Sequence, residues 1–203
     1  MKINYQKVLD DTINNLNGKK PTLLLHACCA PCSSHVITLL SKYFDITIFY
    51  SNDNIYPFEE YDKRLKEEIK FCNEIDSNIK VLSDDYNYDD FLNAIKGKED
   101  LGERSPRCYE CYKFRLEKTV IKAKDLGFDY FTTTLSISPH KNSKWINEIG
   151  FDLESKYNLK YLYSDFKKEE GYKKSIELSK EYGLYRQDYC GCVYSMREKE
   201  EQK

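Results

Sequence analysis

Apolar positions along the chain alternate between a helical spacing and short unbroken runs suited to buried strands. Residues 3–16 place Ile3, Val8, Leu9, Ile13 and Leu16 on one helical face, and Asn17-Gly18 ends that pattern. Residues 22–27 (TLLLHA) form a continuous apolar run, as in a strand covered on both faces. Helical spacing returns at 33–43, with Val36, Leu39 and Leu40 inward, and residues 45–50 (DITIFY) predict a second strand. The loop SNDNIYP leads into a charged amphipathic helix at 58–74. A third strand follows at 79–82, a short helix at 88–96 and a polar Gly- and Pro-containing loop at 97–107. Downstream, the pattern predicts a long helix at 108–126, a strand at 129–134 and a helix at 142–157. A fifth strand at 159–163, a helix at 170–182 and a helical tail at 192–200 complete it.

Such alternation predicts an α/β fold, a parallel sheet with helices on both faces. One domain over 1–203 is expected, with a cysteine-containing loop and helix inserted around 97–127 and a C-terminal Cys190-Gly191-Cys192 segment. Ligands of these sheets bind beyond the carboxyl ends of the strands. Cys28 and Cys29 follow the first strand, and Asn52, Asp53 and Asn54 the second. Thr133, Thr134, Ser136, Ser138 and His140 follow the fourth, and Asp165, Lys167 and Lys168 the fifth. One site at that edge is therefore expected. A dinucleotide or phosphate loop after the first strand would need glycines, and the chain offers His-Ala-Cys-Cys-Ala-Pro-Cys-Ser-Ser-His instead.

Composition narrows the class. The 203 residues are 40% hydrophobic, enough for a core, and no apolar stretch is long enough for a membrane span. The polar start predicts no export signal, hence a cytoplasmic, reducing location and no membrane partner. A net charge of −2 leaves any nucleic-acid partner to a local patch, for which the Lys167-Lys168 and Lys173-Lys174 pairs, Arg104, Arg107, Lys141, Lys144 and Arg186 are candidates.

Eight cysteines change the picture most. In a reducing compartment, clustered thiols point to metal or redox chemistry rather than to disulfides. Three readings stay open. Cys29-Ala-Pro-Cys32 has the spacing of a thioredoxin-type dithiol at a helix start, but leaves Cys28, Cys108, Cys111, Cys190 and Cys192 idle. A structural zinc site could pair Cys108 and Cys111 with Cys190 and Cys192 or with Cys28 and Cys29, and accounts for four thiols only. An iron–sulfur cluster could use Cys28, Cys29, Cys108 and Cys111, leaving Cys190 and Cys192 for a second metal or a redox pair. Cys72 reads as an inert buried thiol, His26 and His35 as structural histidines, and Cys32 is left without a role.

The stretches LLLHACCAPCSSH (23–35), ERSPRCYECYKFRLEKT (103–119), FDYFTTTLSISPHKN (128–142) and SDFKKEEGYKKSIELSKEYGLYRQDYCGC (164–192) together resemble the epoxyqueuosine reductase QueH family. One departure is Asp53 between Asn52 and Asn54, where the family is expected to carry proline. The resemblance implies a Rossmann-like (HUP-type) fold and a cobalamin-independent oxidoreductase of tRNA queuosine synthesis. Its substrate would be tRNA carrying epoxyqueuosine at the wobble position, with a separate electron donor as partner. It implies a 4Fe-4S cluster on Cys28, Cys29, Cys108 and Cys111. A second iron, or other divalent metal, would be served by Cys190 and Cys192 with Asp165. Cys190 and Cys192 could alternatively act in catalysis, and Lys167 or His140 could protonate the departing oxygen. Asn52, Asn54, Thr133, Thr134, Ser138, Lys168 and Arg186 are the expected substrate contacts.

Overall fold

A computed structural model describes residues 3–201. Five parallel strands, β1 (Thr22–His26), β2 (Asp45–Tyr50), β3 (Lys80–Ser83), β4 (Tyr130–Thr133) and β5 (Lys160–Tyr161), lie in the order β3-β2-β1-β4-β5. This is the strand order of a doubly wound Rossmann-like sheet, with the topological switch at β1. Helices α1 (Tyr5–Asn14), α2 (Ala30–Leu40) and α3 (Phe58–Ile75) precede β3, and α4 (Tyr88–Ala94) and α5 (Pro106–Asp125) follow it. The chain ends with α6 (Ser143–Tyr157), α7 (Gly171–Glu181) and α8 (Val193–Glu200). Among the described residues no helix is long and apolar enough to cross a membrane.

The apolar run of β1 is explained by its position. Leu23 and Leu25 enter a core with Val36 and Leu40 of α2 and Phe71 of α3. Leu24 points the other way, onto Leu116 and Val120 of α5 and Ile149 and Leu153 of α6. Both faces are thus covered, which is why β1 shows no polar alternation.

Most predicted elements stand within a few residues of their expected limits. Two differences bear on the site. Helix α2 starts at Ala30 rather than at 33, because Pro31 needs no hydrogen-bonded N–H in a first turn. After β4 the chain makes a 3-10 turn at Thr134–Ile137, where the Thr133 hydroxyl caps Leu135 N at 3.1 Å.

Helices α2 and α3 are joined by a buried polar contact. The Ser33 hydroxyl donates to Glu68 Oε1 at 2.6 Å, and Cys72 Sγ lies 3.8 Å from the same oxygen. Burial pushes the Glu68 carboxyl up from 4.5 to about 8.

Two measurements check this description. Leu25 is fully buried in the central strand, so Leu25→Ala should cost about 3 kcal/mol of stability in urea titrations; a loss under about 1 kcal/mol would contradict its packing. Between pH 4.5 and about 8, folded Glu68 keeps a proton that the unfolded chain has released, so its contribution to stability is lost as pH rises. Glu68→Gln removes that dependence. The variant's stability relative to the parent should climb from pH 5 to 8, by at most about 1.4 kcal/mol per unit. A difference that stays constant with pH would refute the assignment.

Candidate metal centre

Three helix starts bring thiols to the carboxyl edge of the sheet. At the end of β1, Cys29 is the N-cap residue of α2, and Cys32 follows in its first turn, where Cys32 N and Ser33 N both bond Cys29 O. The sulfurs of Cys28, Cys29 and Cys32 lie within 4.8 Å of one another, with Cys28 and Cys29 at 3.9 Å. Helix α5 starts at Pro106, capped by the Ser105 side chain, so Cys108 and Cys111 occupy its first turns. Cys192 is the N-cap residue of α8, and its sulfur accepts from Ser195 N at 3.4 Å. Unpaired N–H groups and the helix dipole at such ends favour negative charge, thiolate included.

Gly191 makes the Cys190–Cys192 turn possible. Its φ is +113°, and a Cβ there would press on the Arg64 guanidinium and Ile55. The turn is docked by Tyr56 N on Gly191 O at 2.9 Å and by Arg64 Nη1 on Cys190 O at 3.4 Å. A cavity of about 400 Å³ opens beside Cys28, Cys32 and Cys190, with Arg64, Arg115 and Lys141 in its wall.

The electrostatics explain what these groups do to one another. S–H groups of Cys29 and Cys32 donate to Cys28 and hold it well below the ordinary thiol range, helped by Arg115 and Lys141. Cys190 is lowered by a hydrogen bond from Cys192 and by Lys141, whose Nζ donates to its sulfur at 3.1 Å. Burial opposes the charge on Lys141, yet the Cys190 thiolate more than offsets this and keeps the ammonium protonated. Cys108 and Cys111 are raised by burial first and then by the nearby charge of Cys190.

Arg115 and Lys141 thus form the test of a metal reading. Buried cations need buried counter-charge. Among the described residues neither pairs with a carboxylate; the neighbours that favour the charge on Arg115 are the sulfurs of Cys111, Cys28 and Cys190. A buried arginine and a half-buried lysine balanced by sulfur fit an anionic, thiolate-held metal group.

The other expected site residues divide sharply. Ser138, His140 and Arg186 line the cavity. Asn52, Thr133 and Thr134 are buried and spent on the scaffold, because the polar ends of parallel strands must satisfy one another. Asn52 donates to Ala27 O at 2.9 Å and accepts from Arg115. Thr133 bonds His26, whose other nitrogen meets Ser51 O, and burial pushes this neutral histidine down to about 3. The Thr134 hydroxyl lies 3.6 Å from Cys28 Sγ, so it serves a thiol. Asn54 is buried with both amide atoms unpaired. Asp53 accepts from Lys118 at 2.7 Å and Asn87 N at 2.9 Å, which pins its loop. Asp165 and Lys167 pair with each other at 2.7 Å and do not line the cavity. Lys168 lines a separate groove with His35 and Lys174.

Sequence reasoning left Cys32 without a role and passed over Arg64, Arg115 and Gln187. A signal existed for the arginines. Arg64 falls in register with Tyr61, Glu68 and Phe71 on the buried face of α3, and Arg115 with Cys111 and Thr119 on that of α5. A cation on a buried helical face demands a partner.

Comparison with known proteins identifies the family. The family model described as "Epoxyqueuosine reductase QueH" matches residues 23–198. A relative named epoxyqueuosine reductase QueH from Streptococcus pyogenes serotype M1 is 42% identical, over 97% of this chain and 79% of its own. Its namesake from Thermotoga maritima is 39% identical, over 89% of this chain and 93% of its own. Among solved structures, the U34-tRNA thiolase NcsA from Methanococcus maripaludis with its 4Fe-4S cluster shares the fold. Its TM-score is 0.58 at 14% identity, covering 94% of this chain and 67% of that one. A family match over most of the chain and relatives aligned over most of both lengths lead to one conclusion: the chain belongs to the epoxyqueuosine reductase QueH family.

Proposed function

We propose that this chain reduces epoxyqueuosine at the wobble position of tRNA to queuosine, without cobalamin. Two electrons and two protons remove the epoxide oxygen as water and leave a carbon–carbon double bond. The observation that carries this reading is that Cys28, Cys32 and Cys190 share one cavity wall with Arg115 and Lys141, two cations that pair with no carboxylate among the described residues, in a chain of this family.

In this reading Cys28, Cys29, Cys108 and Cys111 hold a 4Fe-4S cluster, and Cys32 converges on the same point as the first two. Cys190 and Cys192 hold a second iron or other divalent metal. Asp165 would have to exchange its Lys167 partner to join them. When bound, such a centre supplies single electrons and a Lewis acid for an oxygen. Arg115 and Lys141 favour the anionic forms of Cys28 and Cys190. His140 accepts an N–H from Arg104 on Nδ1 at 2.8 Å, so its proton sits on Nε2, available to a substrate oxygen in the cavity. Ser138 and Arg186 line the wall that an unstacked anticodon base would meet. Electrons come from a separate donor.

Anaerobic purification should give a brown, oxygen-sensitive protein with about four or more irons per chain and matching sulfide. It should convert epoxyqueuosine-tRNA to queuosine-tRNA when supplied with a reductant, read by mass spectrometry of the digested nucleosides. The double variant C190S/C192S should lower turnover by about 100-fold or more. A colourless protein carrying only zinc, or wild-type turnover in that variant, would overturn the corresponding part of the reading.

A further inference from the structure

The segment between α7 and Cys190 holds Gln187, whose side chain reaches back to the thiol triad. Its Nε2 lies 2.9 Å from Cys29 Sγ and donates to it. Its Oε1 is buried and unpaired. This orientation is informative. With Cys29 as a thiolate ligand only the N–H can serve the sulfur, because a reversed amide would turn carbonyl lone pairs toward it.

The contact is built in. Immediately before Gln187, Tyr185 N bonds Glu67 Oε1 at 2.6 Å, and Arg186 Nη1 bonds Ser179 Oγ at 3.0 Å. Immediately after it, Tyr189 carries the Arg64 guanidinium over its ring at 5.2 Å, and Cys190 is anchored by Ser195 and Lys141. Gln187 is therefore held from both sides. The sulfurs also receive different donors: an ammonium for Cys190, a hydroxyl for Cys28 and a neutral amide for Cys29.

We propose that Gln187 is a positioning residue that tunes the reduction potential of the cluster through its N–H on Cys29. The proposal rests on the reading that Cys29 is a cluster ligand. An electron entering a thiolate-held cluster adds negative charge to its sulfurs, and a donor on sulfur stabilises that reduced form more than the oxidised one. Gln187 thereby raises the potential, so that a mild donor suffices to charge the centre. Because the amide is neutral, it does this without neutralising the thiolate.

Redox titration of the holoenzyme, followed by electron paramagnetic resonance, tests the claim. The midpoint should move to more negative values in Gln187→Leu, and further in Gln187→Glu, which sets a carboxylate beside the sulfur. In the parent protein, glutamine labelled with ¹⁵N in the side chain should give a hyperfine coupling to the reduced cluster, and Gln187→Leu should abolish it. An unchanged midpoint in both variants, or no coupling in the parent, overturns the proposal while leaving the cluster reading intact. If the variants take up no cluster, the parent's coupling decides alone. A parent protein that holds no iron–sulfur cluster overturns both.

Discussion

Buried negative charge on sulfur is the constraint around which this molecule is organised. Cys28 and Cys190 are held toward the thiolate beside one cavity, and thiolates in a low-dielectric setting are costly without compensation. The chain supplies compensation in two forms. Helices α2, α5 and α8 each begin at a cysteine or within a few residues of one, so their dipoles favour negative charge there, and at α8 Ser195 N donates to Cys192 Sγ. Arg115 and Lys141 add full positive charge where no carboxylate competes for it. Remove the sulfur anions and the buried Arg115 and half-buried Lys141 are left without counter-charge.

That arrangement adapts a familiar architecture. In a doubly wound sheet the turn after the first strand commonly presents a helix N-terminus to a phosphate. Here the same turn is Cys28-Cys29-Ala30-Pro31-Cys32, and the helix start faces thiols. The glycine that phosphate loops use for close approach is missing here, and one appears instead at Gly191, where it bends the chain between two cysteines.

The polar residues around the thiols divide between support and cavity. Asn52, Thr133 and His26 satisfy one another and the strand ends, and His26 is kept neutral so that it adds no charge. Ser138, His140 and Arg186 face the open space. The division follows distance along the chain: polar groups directly at a strand end are drawn into the sheet's own hydrogen bonding, and those a few residues on can turn outward.

By itself the sequence determined the elements, the parallel sheet and the edge at which the site lies. Hydrophobic spacing is local, and an unbroken run such as TLLLHA carries its two-sided burial in its own composition. Motifs likewise disclosed the family, and the spacing of the cysteines singled out six thiols as candidates, with Cys32 left unassigned. Only the tertiary structure decided how those thiols group. Cys32 joins Cys28 and Cys29 because α2 begins early enough to turn its sulfur inward, and Asp165 is drawn to Lys167 instead. It also decided that Arg115, Lys141 and Gln187 serve the sulfurs. Those roles depend on contacts between residues as many as 158 positions apart, and hydrophobic spacing carries no trace of a partner so distant.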